Sequence, residues 1–427
     1  MEKSAYKIHI IGAGISGLIA AQILENHGYH PIIIEASSTV GGRVKSDLVN
    51  GYTLDHGFQV LLTSYPAAKK YLNYKALDLQ KLLPGATLFK NGKAQTIGDP
   101  LRSLSLLFPT LLSTVGTLSD KIKILKLNTL LKKKKISAIF KTKEKTTLHY
   151  LKDFGFSDAI ITDFFKPFFG GIFLETQLET SSRMFEFVYK MFGNGLAVIP
   201  KEGMQAIPNQ LKNKLKNTTF YFDTPVREVK DQHIILEDER ILESNITIIA
   251  TEASALISNL KNQGTEWKSC DTLYFEAEKS LINKPLIGLI SDENMLVNNI
   301  FYHTSVATLN RTRKELLSVT VVKGHQLNEK DLIAKVVEEL HAACGISDIS
   351  FLKRYQIKKA LPKLTNLQYE ISSTETKLKS SIFLAGDQLL NASLNAAMIA
   401  GERAAMGVLQ TIEDGAITDE FTSEYSS

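Results

Sequence analysis

Residues 8–17 read IHIIGAGISG, and this stretch decides the architecture. Ile8, Ile10 and Ile11 have the character of a buried strand, and Gly12, Gly14 and Gly17 follow at the GxGxxG spacing that opens a helix. Each glycine answers a different physical demand. Gly12 allows the tight turn, Gly14 lets the backbone approach a pyrophosphate, and Gly17 lets the helix pack closely on the strand. The helix start at Ile15 and Ser16 adds unpaired N–H groups and the positive end of a dipole, which suits an anion. A helical run to about Gly28 and a second strand over 31–34 complete a βαβ opening. Glu35 ends that strand, with Ala36 beside it. A carboxylate there accepts from both ribose hydroxyls of an adenosine and repels a 2′-phosphate, which disfavours NADP. These residues predict a dinucleotide site without separating FAD from NAD.

The chain has 427 residues, more than one hydrophobic core usually serves, so two or more domains are expected. With 44% hydrophobic and 22% charged residues it reads as an ordinary globular protein. Cys270 and Cys344 are far apart and show no CxxC spacing, which proposes neither a metal site nor a disulfide and fits a reducing, cytoplasmic compartment. No signal peptide is read at the N-terminus. The best transmembrane candidate, 101–118, carries Arg102, Pro109 and several hydroxyl residues, so it is not expected to span. The formal charge of +5 is mild, and no nucleic-acid partner is expected. It is unevenly placed, however: residues 120–150 hold ten lysines against two acids.

Helical spacing dominates from about 75 to 190, which predicts a mostly helical insertion. Strand signals return over 217–229, 233–236 and 245–250. Between 261 and 370, strands near 286–289 and 317–322 and a helix over 329–343 predict a substrate domain with an antiparallel sheet. A short strand over 381–385 and a helix over 395–410 close the fold. The discontinuous nucleotide domain is therefore 1–74, 191–260 and 371–412, and 413–427 reads as an acidic tail.

Gly41, Gly42 and Arg43 follow Glu35 and suit a second backbone approach to a pyrophosphate, with a guanidinium to hold it. Far downstream, Leu384-Ala385-Gly386-Asp387 ends a strand and LNAAMIAGERAA, residues 394–405, begins a helix. Here the chain resembles the flavin-containing amine oxidase superfamily, whose members include protoporphyrinogen oxidases, phytoene desaturases and monoamine oxidases. The resemblance covers nearly all of the chain. It implies a Rossmann-type FAD domain with an inserted α+β substrate domain, the two-domain architecture shared with p-hydroxybenzoate hydroxylase. It also implies that Asp387 holds the ribityl or pyrophosphate portion, and that the helix start at Leu394 and Asn395 faces the flavin ring. Gly57 and Phe58, in LDHGFQ, resemble the loop close to the flavin, and Val226, in TPV, resembles the strand that cradles adenine. Residues 170–182 and 200–207 are similar to the protoporphyrinogen oxidase substrate-domain stretch and to the segment returning from it.

Neither cysteine precedes the final helix, where Ala392 stands, so FAD is expected to be held without a covalent bond. Ser393 occupies the place of an aromatic residue that orients the amine in monoamine oxidases, which lowers an amine oxidase reading. The function implied is hydride removal from a lipophilic small molecule, with an amine oxidase or a redox-neutral flavin isomerase as alternatives. No catalytic residue is assigned. His56 and Lys201 are candidates that also read as structural, and Phe164, Phe165, Phe168, Phe169 and Phe173 read as either core or an apolar slot. Residues 101–145 carry two readings as well: a peripheral contact with the inner face of the membrane, or a substrate-domain core with solvated lysines.

Overall fold

The computed structural model describes residues 2–90, 92–99, 101–260, 263–308 and 314–413. Its nucleotide side is a five-stranded parallel sheet in the order Thr219–Tyr221, Ile32–Ile34, Ile8–Ile11, Ile246–Ile249, Ile382–Leu384. The central strand Ile8–Ile11 is buried throughout, as a parallel strand covered on both faces should be. Helices Ile15–Asn26 and Leu394–Ile412 pack together. Glycines set their distances: a Cβ on Gly17 would lie 2.1 Å from Gly12 O, and one on Gly401 would lie 2.2 Å from Ser16 O. The final helix is pinned at its end, where Tyr29 Oη donates to Glu413 Oε1 at 2.9 Å. The rest of the acidic tail lies outside the described residues.

The second layer is a seven-stranded sheet. Its order is Ile349–Pro362, Trp267–Ala277, Glu315–Val321, Val297–Tyr302, Ile287–Ile290, Gly85–Lys90, Lys93–Gly98. Two sequence expectations change here. Leu79–Lys81, Gly85–Lys90 and Lys93–Gly98, inside the segment read as helical, are strands, and the last two complete this sheet. The sheet is antiparallel except where Ala86–Phe89 run parallel to Ile287–Ile290. Local spacing concealed these strands because hairpin 85–98 finds its neighbour some 200 residues downstream, so its burial is decided by tertiary pairing.

The side-chain alternation of this sheet places the site. Leu273, Phe275, Leu317, Val319 and Val321 pack in one cluster with Leu332, Val336 and Leu340 of helix Glu329–Cys344. The alternate residues Cys270, Thr320 and Asn299 are also buried, but they line a cavity. Residues 104–173 are helical in short pieces, followed by helix Ser182–Asn194. No helix among the described residues is long and apolar enough to cross a membrane.

The run 101–118 departs from a core reading. Leu106 and Val115 are buried, whereas Leu101, Leu104, Phe108, Leu112 and Leu118 are 82%, 82%, 71%, 80% and 72% exposed. Helix Leu118–Lys133 opens on a capping box between Thr117 and Asp120 and continues the exposed apolar surface through Ile122 and Leu125. Exposed apolar residues gathered in one stretch of chain are candidates for an interaction face.

Candidate functional site

One cavity of about 1830 Å³ runs between the two sheets, larger than the usual single-ligand pocket. Its nucleotide end is lined by Gly12, Gly14, Ile15, Ser16, Glu35, Gly41, Gly42, Arg43, Gly57, Phe58, Gly386, Asp387 and Leu394, so residues scattered over the whole sequence meet there. The turn is open on its cavity side: a methyl group added at Gly14 would meet nothing within 4 Å. Gly12 has φ +103°, a conformation that favours glycine.

Glu35 shapes this turn as well as facing it. Its Oε2 accepts from Ala13 N at 2.7 Å, and its Oε1 accepts from Ser37 N and Oγ at 2.9 and 2.7 Å. Arg43 reaches across to the buried Asp387 and forms an ion pair with it. At the final helix, Ser393 Oγ accepts from Ala396 N at 3.0 Å. The N–H groups of Leu394 and Asn395 precede that bond and have no helical acceptor.

Four residues expected at the cofactor stand back from the cavity. Gly17 packs against Gly12, and Ala36 is exposed beyond the strand end. Val226 packs against the cluster of Ile11, Ile34 and Val229. The Asn395 side chain is fully buried and accepts from Ala67 N at 3.0 Å, which ties the final helix to helix Pro66–Tyr71. Asn395 therefore offers a cofactor its backbone and not its amide side chain.

The cavity continues past Phe164, Phe168, Phe169, Ile172 and Phe173 to Leu111, Leu118, Ile122 and Leu125. The phenylalanine cluster thus serves both readings: Phe165 is core, while Phe164 and Phe168 are partly exposed to the cavity. Lys201 pairs with Asp78 at 3.1 Å on the surface. Among the lysines that line the cavity, Lys268 sits beside the phenylalanines: its Nζ donates to Phe173 O at 2.8 Å and Thr180 Oγ1 at 3.0 Å. Burial pushes its ammonium below the usual range. Sequence reading missed Lys268 because it lies in a strand without motif spacing. Its neighbour Trp267, the chain's single tryptophan, was the available signal.

His56 is held rather than free. Its Nε2 lies 2.9 Å from Asp47 Oδ2, which also accepts from Tyr355 Oη at 2.9 Å, and the His56 and Tyr355 rings are 4.3 Å apart. Burial pushes the Asp47 carboxyl up, but the bonds from His56 and Tyr355 outweigh it and hold it below the usual range. Next to it Asp55 is buried and pushed up to about 6 by desolvation, against bonds from Ser46 Oγ and Met204 N. That contact fastens the returning segment 200–207 to the hairpin Ser46–Asp55. Among the described residues no group of three or more His, Cys, Asp or Glu is placed to hold a metal ion.

With this geometry in view, the family model of flavin containing amine oxidoreductases matches residues 15–409. The chain belongs to that family. An oxidoreductase from Methanosarcina mazei has the same fold, with TM-score 0.71 at 18% identity over 95% of this chain and 100% of that one. Protoporphyrinogen oxidase 2 of Arabidopsis thaliana is 27% identical over 172 residues, which is 39% of this chain and 32% of the relative. Hydroxysqualene dehydroxylase of Sinorhizobium fredii is 38% identical over 85 residues, 19% of this chain and 20% of the relative. The matched stretches therefore span a third or less of these curated relatives. As a member of the family this flavoprotein is an FAD-dependent oxidoreductase, and its glycine turns, Glu35 and the two helix starts fit a dinucleotide. Ser393, bonded to Asn391 Oδ1 at 2.7 Å and to Ala396 N, is an N-cap here.

Proposed function

We propose that the chain removes hydride from a lipophilic substrate that enters from a membrane surface, with FAD held non-covalently. The observation that carries this reading is the continuity of one cavity from Glu35 and Arg43, past Phe164 and Phe168, to the exposed Leu111, Leu118 and Ile122. Bound FAD supplies a two-electron acceptor. The chain supplies the rest. Gly12, Gly14, Glu35, Arg43 and Asp387 bind the dinucleotide, and the Leu394 and Asn395 N–H groups orient its ring end. Phe164, Phe168 and Ile172 exclude water and hold an apolar body, while Lys268 offers an N–H donor inside that apolar space.

The relatives named above support this substrate class, since a porphyrinogen and a hydroxylated triterpene are both lipophilic. The test uses the FAD-loaded full chain, without oxygen, against a panel of porphyrinogens, polyene or triterpene alcohols, and amines. Bleaching of the flavin by a lipophile is expected. Faster bleaching by an amine would replace the reading with an amine oxidase, and conversion of a lipophile with neither bleaching nor an acceptor would replace it with an isomerase.

The route of entry has its own test. Lys132 and Lys133 are exposed beside the apolar face, whereas Lys134 is committed to the buried Glu186 at 2.5 Å. Liposomes with anionic lipid should therefore carry the chain upward in flotation, less so as salt rises. Each exposed basic residue is worth on the order of 1 kcal/mol at such a surface. The double change Lys132→Gln/Lys133→Gln should weaken flotation, and Phe108→Ser with Leu112→Ser should abolish it. If the chain ignores anionic liposomes at low salt, substrate enters from solution.

A further inference from the structure

Trp267 lines the same cavity as Gly12 and Glu35 and has two cations over its ring, Arg43 Cζ at 5.3 Å and Lys359 Nζ at 5.9 Å from the centroid. Each cation is also paired with an acid from the nucleotide side, Arg43 with Asp387 and Lys359 with Glu252. Arg43 Nη1 further donates to Ala360 O at 3.4 Å. Trp267, Lys359 and Ala360 belong to the large sheet, in which Trp267 pairs with Pro362 at the end of edge strand Ile349–Pro362. Glu252 follows the parallel strand Ile246–Ile249, and Asp387 follows Ile382–Leu384. All of these residues line the one cavity.

Physical chemistry singles out the indole. Lys359 is 61% exposed, and an ion pair made by so exposed an ammonium is screened and contributes little alone. Tryptophan is the aromatic ring that attracts cations most, and the attraction grows where water is excluded. The ring therefore couples two pairs that would otherwise open independently. Hairpin Ser46–Asp55 is held to the same edge strand by the Tyr355 and Asp47 bond, so that strand meets the nucleotide side at two places, this bond and the cation pairs around Trp267.

We propose that Trp267 is a latch over the dinucleotide: its indole, gripped by Arg43 and Lys359, bridges the two sheets across the groove and sets how slowly FAD leaves. The inference rests on the FAD reading above and adds a retention residue that belongs to no glycine-rich motif. Release of FAD requires the two cations and the ring to part together, so the latch acts on the exit rate.

The experiment follows FAD release from the loaded full chain after dilution, by the rise of free-flavin fluorescence, alongside emission of the single tryptophan. Trp267→Ala should release FAD about tenfold faster, equivalent to about 1.4 kcal/mol in the barrier. Trp267→Phe should stay within about threefold of the parent, because a weaker ring remains. Lys359→Gln should be intermediate and lose part of the acceleration that salt causes in the parent. Trp267 emission should be quenched by FAD and recover at the release rate. Equal release by Trp267→Ala and the parent, or emission indifferent to FAD, overturns the latch. Should Trp267→Ala fail to fold, parent-like release and salt response in Lys359→Gln overturn it instead. A parent chain that takes up no FAD sinks the underlying reading, a result distinct from an FAD-binding chain whose release ignores Trp267.

Discussion

Glu35→Lys is expected to weaken FAD binding about a hundredfold, since hydrogen bonds to a charged group are worth about 1.5–3 kcal/mol. The carboxylate accepts from Ala13 N, Ser37 N and Ser37 Oγ, so the change removes more than a ribose acceptor. It also leaves the Ala13 N–H without its partner in the turn beside Gly12 and Gly14, and it replaces an acceptor with donors. Glu35→Gln retains one carbonyl oxygen and should lose about tenfold, as expected for one charge-assisted bond reduced to a neutral one. Titration of the apoprotein with FAD, followed by flavin fluorescence, measures both. An affinity for the lysine variant within about twofold of the parent, below the value of a single hydrogen bond, would remove Glu35 from the site.

Phe185→Ala is expected to cost about 3–5 kcal/mol, the usual range for deleting a buried phenylalanine ring. Phe185 is fully buried, with ring centroids of Phe169, Tyr150, Tyr189 and Phe165 at 4.7, 5.4, 5.5 and 6.1 Å. Helix Ser182–Asn194 is fastened to helix Lys166–Phe173 through these rings. Phe164 belongs to the same cluster, 5.2 Å from Phe165, but faces the cavity. Phe164→Ala should therefore cost about 1 kcal/mol or less, as for a half-exposed ring, and alter substrate preference instead. Urea unfolding followed by circular dichroism separates the two. Equal losses would mean that both rings are core and that the apolar part of the cavity is not a slot.

The same cluster shows where the chain was legible and where it was not. Helical spacing predicted helices around the phenylalanines, yet nothing local distinguishes Phe165, which is core, from Phe164, which borders the cavity. The run 101–118 is the clearer case. Its composition suits a core as well as a docking face, and only the packing of its neighbours leaves Leu104, Phe108 and Leu112 in solvent. The strands Gly85–Lys90 and Lys93–Gly98 leave no local signal for a related reason, because the partner strand Ile287–Ile290 lies far along the chain.

The sequence by itself determined the glycine turns and the acidic positions that line one end of the cavity. IHIIGAGISG, Glu35, Gly41-Gly42-Arg43 and Gly386-Asp387 are short-range patterns whose physics is local: a turn that needs glycine, a helix that exposes N–H groups, a carboxylate at a strand end. Tertiary structure alone decided the rest. It brought Lys268 rather than Lys201 into the cavity, turned the Asn395 side chain away to Ala67, and set Trp267 between Arg43 and Lys359. The reason is physical. A backbone cradle is encoded by the conformations its own residues allow, whereas the surroundings of a side chain depend on which distant strands pack against it, and no local spacing records that.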